Sequence, residues 1–124
     1  MKKKKLLVAT TNIGKFKEIK SFLGDLPFQI LSLNDLKKCP PAPLENKTTI
    51  FNNAILKAVY YAKRTGLISL ADDSGLFIDA LGGWPGVKSA RIAKTDNARR
   101  RLVLKKMKDK KKSSRDFYLC VVFI

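Results

Sequence analysis

The sequence predicts an α/β domain in which helices pack on a mixed sheet. Short apolar runs resemble strands, amphipathic helical patterns alternate with them, and capping or turn residues stand at the junctions. A length of 124 residues suits one core, so residues 1–124 are expected to form a single domain. The predicted strands are Leu6–Ala9, Phe28–Leu33, Leu67–Ala71, Leu76–Asp79 and Phe117–Ile124. The predicted helices are Gly14–Leu23, Thr49–Arg64 and Asp96–Lys108.

The first strand and the first helix meet at a polar turn, residues 10–15. The helix after this turn places five apolar residues on one face: Ile13, Phe16, Ile19, Phe22 and Leu23. Thr or Asn can cap the helix, and its free N–H groups and dipole form an anion site to which Lys15 adds a charge suited to phosphate. A capped helix with a solvated lysine explains the turn equally well, and no Walker A motif is present.

A pair of adjacent carboxylates, Asp72 and Asp73, follows the apolar run Leu67–Ala71 and precedes Ser74 and Gly75. Because Asp, Ser and Gly favour turns, the stretch is expected to form a turn after the strand. Carboxylates at the end of a strand can hold a divalent cation, and Mg²⁺ accepts such hard oxygen ligands together with substrate phosphates. A plain turn without a ligand is the alternative interpretation.

Four motifs occur in order: Thr10-x-Asn12-x-Gly14-Lys15-x-Lys17-Glu18, Asn53-Ala54-Ile55-Leu56-Lys57-Ala58, Ala71-Asp72-Asp73-Ser74-Gly75-Leu76, and Asp79-Ala80-Leu81-Gly82-Gly83-x-Pro85-Gly86-Val87-x-Ser89-Ala90-Arg91. From Leu6 to Ile124 the chain thereby resembles the non-canonical purine nucleoside triphosphate pyrophosphatases, the inosine triphosphatase or Ham1-like family. The resemblance implies hydrolysis of dITP, ITP and XTP to the monophosphate and pyrophosphate, with Mg²⁺. It also implies an elongated α/β fold and a homo-oligomer, a dimer in the family.

The resemblance also implies roles for individual residues. Glu45 and Asp73 would bind the metal, Asp73 would accept a proton, and Lys57 and Ser74 would contact the substrate. The remaining residues would bind the triphosphate as one loop: Thr10, Thr11, Asn12, Ile13, Gly14 and Lys15. Lys15 and Lys57 are expected to face the same cleft as the two carboxylates.

The chain departs from the family pattern in two ways. Asn46-Lys47 stands where the family has Thr-Gly, and Asn52 replaces a common glutamate, which removes a negative charge. The family's Gly-Phe-Gly-Tyr-Asp-Pro and Ser-His-Arg motifs, which grip the purine base, do not occur in the sequence. We therefore expect a C-terminally truncated domain with little base preference, an exposed edge on the strand Phe117–Ile124, and self-association. An active enzyme, an inactive or weakly active remnant that still binds triphosphates, and a basic nucleic-acid-binding module remain open as hypotheses.

The chain carries a net charge of +16, from 26 Lys and Arg against 10 Asp and Glu. Such a surface attracts polyanions, but no nucleic-acid fold signature or row of aromatic residues accompanies it, so we do not expect nucleic acid as a partner. Cys39 and Cys120 are too few for a disulfide framework, which favours the cytoplasm. No apolar run approaches the roughly 20 residues of a membrane span, so no membrane partner is expected.

Overall fold

The computed structural model describes residues 2–123, with side chains described as far as Phe117. The strands are β1 Lys4–Val8, β2 Phe28–Ser32, β3 Ile68–Leu70, β4 Asp72–Ile78, β5 Pro85–Gly86 and β6 Phe117–Phe123. The helices are α1 Ile13–Leu23, α2 Ile50–Thr65 and α3 Asp96–Met107. The α/β class is confirmed, and each predicted helix begins and ends within one residue of its predicted bounds. The predicted strand end at Ile124 lies outside the described residues.

The strands form two sheets of three, where the sequence suggested one. β1 lies between β2 and β3 in a parallel sheet, and β4 lies between β5 and β6 in an antiparallel sheet. The chain passes from β3 to β4 through Ala71 alone, so the last strand of one sheet leads directly into the central strand of the other. Among the described strands, β6 pairs only with β4, which leaves it at an edge of the second sheet.

The core lies between the parallel sheet and α2. Leu6, Leu7 and Val8 are buried in succession along β1, as expected of a central parallel strand that is covered on both faces. The main cluster of buried residues joins this strand to the helix and to Ala71: Leu7, Ala9, Leu33, Ala58, Tyr61 and Ala71. On α2 the buried stripe includes Asn53 and Tyr61, while Val59 is exposed.

The turn before α1 folds as predicted, but the apolar face of this helix is only partly covered. The Asn12 side chain caps α1 by accepting a hydrogen bond from the backbone N–H of Lys15 at 2.9 Å. Ile19 is buried, whereas Ile13 is 65% exposed and Phe22 is 96% exposed. The helical periodicity was therefore correct, although burial reaches only the middle of the predicted stripe.

The Asp-Asp-Ser-Gly stretch is a strand, and its prediction as a turn was wrong. All four residues belong to β4 and pair in register with β6, from Asp72 opposite Phe123 to Gly75 opposite Cys120. Backbone pairing along a seven-residue strand thus overrides the local turn preference of these residue types. Gly75 is required for a different reason, since a Cβ atom there would lie 2.6 Å from the carbonyl oxygen of Gly86 in β5.

The basic helix α3 begins at the predicted cap, where the Thr95 hydroxyl accepts a hydrogen bond from the N–H of Ala98 at 3.1 Å. The helix packs beside the glycine-rich turn before β5, and Lys106 Nζ lies 4.9 Å from the centre of the Trp84 ring. None of the helices in the described residues has the length and apolar character that crossing a membrane requires.

Candidate functional site

The start of β4 supplies carboxylates to both faces of its sheet. Successive side chains of an extended strand point in opposite directions, so Asp72 and Ser74 lie on one face and Asp73 lies on the other. Asp72 is almost fully buried and forms an ion pair with Lys15, whose Nζ lies 2.8 Å from the Asp72 carboxylate. A buried carboxylate needs such a partner, and the pair fixes the direction of the lysine at the start of α1.

The loop before α1 has the geometry of an anion-binding turn. The Thr10 hydroxyl accepts from the N–H of Asn12 at 3.1 Å, and the Asn12 side chain accepts from the N–H of Lys15. Asn34 donates to the carbonyl of Thr11 at 3.0 Å, which ties the loop to the segment after β2. The loop residues from Thr11 to Gly14 are exposed, so the positive end of the helix dipole is open to an anionic ligand.

A cavity of about 490 Å³ adjoins this loop between α1 and the two strands that meet at Ala71. Its polar lining residues are Lys15, Glu18, Asp72 and Ser74, and its apolar lining residues are Ile19, Phe22, Leu23 and Leu70. Lys15 and Ser74, which were predicted to contact the same substrate, therefore do face one cavity.

On the opposite face, Asp73 lies within a group of charged residues. Lys57 of α2 pairs with Glu45, with Nζ 3.1 Å from Oε1, and the charges of both residues act on Asp73. Burial raises the pKa of the Asp73 carboxyl above its usual value, and the negative charge of Glu45 raises it further. The positive charge of Lys57, the N–H of Ser74 and the side-chain amide of Asn53 oppose this shift and lower the pKa.

The predicted site residues thus form two groups that share β4. One group consists of the loop of residues 10–15 with Ser74, and the other consists of Glu45, Lys57 and Asp73. The two lysines were expected on a single cleft wall, but Lys15 is beside Asp72 and Lys57 is on the Asp73 side. This division follows from the alternation of side chains along an extended strand, which a turn would not impose.

The second group has a donor set that fits Mg²⁺. Glu45 and Asp73 provide two carboxylates, whose oxygens are hard ligands. Mg²⁺ is commonly held by one or two carboxylates, with substrate phosphates and waters completing its coordination shell. Because Lys57 pairs with Glu45, a bound Mg²⁺ would have to share the Glu45 carboxylate with this ammonium group. Within the described residues, no cluster of three or more His, Cys, Asp or Glu side chains forms a complete metal cage.

Three residues at the site have contacts that the sequence did not predict. Asp72 orients Lys15, the fully buried Asn53 reaches Asp73, and Arg91 donates a hydrogen bond to the backbone carbonyl of Glu45. All three belong to the motifs quoted above. A polar amide such as Asn53 among the buried residues of a helix is itself a signal in the sequence that the side chain has a specific partner. The contact between Arg91 and Glu45 spans 46 positions, so no local pattern could reveal it.

Comparison with known proteins places this geometry in a family. Residues 6–124 match the Ham1 family. The dITP/XTP pyrophosphatase of Oceanobacillus iheyensis is 43% identical over 125 residues, which cover 98% of this chain and 64% of that protein. The dITP/XTP pyrophosphatase of Thermus thermophilus is 43% identical over 122 residues, which cover 97% of this chain and 58% of that protein. The chain therefore spans less than two thirds of the length of these two relatives.

Two solved structures resemble the fold. The Ham1 protein of Staphylococcus aureus aligns with a TM-score of 0.78 at 32% identity, over 97% of this chain and 62% of that protein. A nucleoside-triphosphatase (dITP/XTP pyrophosphatase) from Mycobacterium abscessus aligns with a TM-score of 0.72 at 32% identity, over 97% and 71% of the two chains. With sequence, fold and motif order in agreement, the chain belongs to the Ham1 family.

Proposed function

We propose that this protein hydrolyses non-canonical purine nucleoside triphosphates, namely dITP, ITP and XTP, to the monophosphate and pyrophosphate with Mg²⁺. The observation on which this rests is the grouping of Asp73, Glu45 and Lys57 within reach of one another's charges, next to the residue Asp72 that pairs with Lys15. The relatives named dITP/XTP pyrophosphatase support the choice of substrate.

The loop of residues 10–15 would bind the triphosphate. Its open helix N-terminus offers backbone N–H donors, and Lys15, held in direction by Asp72, adds a positive charge at the same end. Ser74 lies in the cavity beside this lysine and can donate its hydroxyl to a phosphate oxygen. Phosphoryl transfer depends mainly on such positioning and charge neutralisation, so a rigid, capped loop suits it.

Asp73 would act as the general base. The attacking water loses a proton to its carboxylate as the new bond to phosphorus forms and the bond to the pyrophosphate leaving group breaks. In the metal-free protein burial raises the pKa of this carboxyl, and a bound Mg²⁺ would lower it again. Glu45 and Asp73 would hold Mg²⁺, which when bound supplies charge neutralisation and polarisation of phosphate oxygens.

The direct test is product analysis with dITP, ITP and XTP, using ATP and GTP as comparison substrates. We expect pyrophosphate and monophosphate in equal amounts, with the reaction lost in EDTA and restored by Mg²⁺. The ratio of the ITP rate to the ATP rate measures how far this chain distinguishes the base. Release of orthophosphate, or no release from any of these triphosphates, would overturn the proposal.

Replacing Asn12 by Asp is expected to weaken triphosphate binding without changing stability. Asp and Asn are equally good N-caps, so the carboxylate can still accept from the N–H of Lys15. The added negative charge, however, stands where the phosphates would bind and repels them. We expect the KM for ITP to rise and the melting temperature to remain the same. Asn12→Ala is the matched control, because it removes the cap at about 1 kcal/mol of stability and adds no charge.

We also propose that the protein works in the cytoplasm and as a homo-oligomer. Cys39 is exposed and free, which suits a reducing compartment. The edge of β6 is open to pairing with a second copy, as far as the described strands show. Sedimentation over a range of protein concentrations would measure this association.

A further inference from the structure

We propose that Arg91 is a positioning residue that sets the place of Glu45 relative to Asp73. The inference rests on the proposed function, because it concerns the geometry of the same two carboxylates. Arg91 lies outside the charged group of Glu45, Lys57 and Asp73, and it would fix the position of the segment that carries Glu45.

The Glu45 segment, residues 44–47, is held by contacts with Arg91, Asn53 and Lys57 rather than by regular secondary structure. It lies in a stretch without helix or strand between the turn after β2 and the start of α2. Leu44 is 76% exposed, so apolar burial does not anchor the segment. Its one internal backbone hydrogen bond, from the N–H of Asn46 to the carbonyl of Leu44, is local and does not tie the segment to the rest of the fold.

Arg91 connects this segment to the second sheet. Its guanidinium donates from Nη1 to the carbonyl of Glu45 and from Nη2 to the carbonyl of Val87 at 3.2 Å. The short turn that carries Arg91 is itself fixed, because the Ser89 hydroxyl accepts from the N–H of Leu76 at 2.8 Å and donates to the carbonyl of Gly86 at 2.5 Å. Hydrogen bonds at Ser89 and Arg91, joined by the backbone of the short turn between them, therefore connect β4 to the backbone of Glu45.

Asn53 holds the other side of the segment. Its side chain is fully buried, its oxygen accepts from the N–H of Lys47 at 3.0 Å, and its amide also reaches Asp73. Glu45 is thus placed between two anchors, one from α2 and one from the turn after β5. Outer-shell partners of this kind typically change metal affinity or activity about 10–100-fold when removed.

Arg91 is the better residue to test, because it is exposed and its replacement leaves the core intact. Arg91→Met removes both hydrogen bonds, and Arg91→Lys keeps the charge but cannot bridge two carbonyls with a planar fork. Arg101→Met and Arg101→Lys are matched controls. Arg101 is exposed on α3 and has the same charge, and the structure shows no contact from it to the Glu45 segment.

The readouts are amide hydrogen exchange in residues 44–47 and binding of Mn²⁺, followed by the free-ion EPR signal without nucleotide. For Arg91→Met we expect exchange at the segment to speed up roughly tenfold, with the melting temperature unchanged. We expect the Kd for Mn²⁺ to rise about 10–100-fold. Arg91→Lys should fall between Arg91→Met and the unmodified protein, and the Arg101 variants should match the unmodified protein.

Three outcomes would overturn the inference in distinguishable ways. If the unmodified protein binds Mn²⁺ and Arg91→Met binds it equally well, Arg91 does not position Glu45, while the proposed function stands. If the unmodified protein neither binds Mn²⁺ nor releases pyrophosphate, the proposed function fails and the inference fails with it. Equal loss in the Arg91→Met and Arg101→Met variants would assign the effect to net charge and would also overturn it.

Discussion

Replacing Asp73 by Asn is expected to abolish pyrophosphate release and leave the fold intact. The amide keeps the shape of the side chain but cannot accept a proton from water, and it contributes no negative charge to a metal. General-base catalysis contributes typically about 10²–10⁴-fold, so a loss of at least that size is expected. Because Asp73 is half-buried on the surface of β4, the substitution removes no core contact.

The same variant should be more stable than the unmodified protein at neutral pH when no metal is present. The folded state raises the pKa of Asp73, so the folded protein holds this proton more tightly than the unfolded chain does. The free energy of unfolding therefore falls as the pH rises from the ordinary pKa of Asp to the raised pKa of Asp73. Above the raised pKa it falls no further on account of this group. The amide in the Asp73→Asn variant carries no charge and avoids this penalty.

Urea denaturation in EDTA at pH 4 and pH 7, with a pyrophosphate assay in Mg²⁺, would test both parts. The gain in stability of Asp73→Asn should appear at pH 7 and shrink at pH 4. Asp116→Asn is the matched control, since Asp116 is exposed in the loop before β6 and should change neither quantity. Full activity in Asp73→Asn would exclude Asp73 as the base, and a loss of stability at pH 7 would contradict the electrostatic reasoning.

Replacing Gly75 by Ala is expected to destabilise the protein strongly. The added Cβ would lie 2.6 Å from the carbonyl oxygen of Gly86 and 2.9 Å from the ring of Phe77. The Gly86 carbonyl cannot easily retreat, because it also accepts from the Ser89 hydroxyl. Forcing a methyl group into such a packed contact costs about 1–3 kcal/mol and separates β5 from β4.

Gly14→Ala provides the matched control, because a Cβ there meets only the Asn12 side chain at an ordinary 3.4 Å. In the first turn of α1, alanine is favoured over glycine by up to about 1 kcal/mol. The two substitutions should therefore change the free energy of unfolding in opposite directions, as measured by the urea midpoint. A Gly75→Ala protein as stable as the unmodified chain would show that the close contact between β4 and β5 can relax.

Much of the fold was predictable because its signals are local. Thr49, Thr95 and Asn12 are capping residues, and each stands at the helix start that it caps. The two residues of β5 were missed because so short a strand has no periodicity of its own. The strand character of the Asp72–Gly75 stretch was missed because it depends on pairing with β6, which lies far along the chain.

The sequence proposed the residues of the candidate site, and the structure shows how they are arranged. The family resemblance pointed to Lys15, Glu45, Lys57 and Asp73. Their division between two faces follows from which side chains of β4 point to which side of the sheet. The direction of each side chain depends on the residue at which the strand begins, and sequence patterns locate the ends of elements poorly. The anchors Asn53 and Arg91 act on backbone groups elsewhere in the chain, so only the folded structure reveals them.

The passage of the chain through Ala71 has a consequence for how the gene can vary. Because the side-chain period of a strand is two, inserting or deleting one codon between Leu70 and Asp73 would exchange the faces of every residue that follows in β4. The carboxylate now beside Lys57 would then face Lys15, and Gly75 would no longer meet Gly86. Loops elsewhere in the chain can change length. The number of residues from β3 to Gly75, by contrast, is expected to be the same in all functional variants.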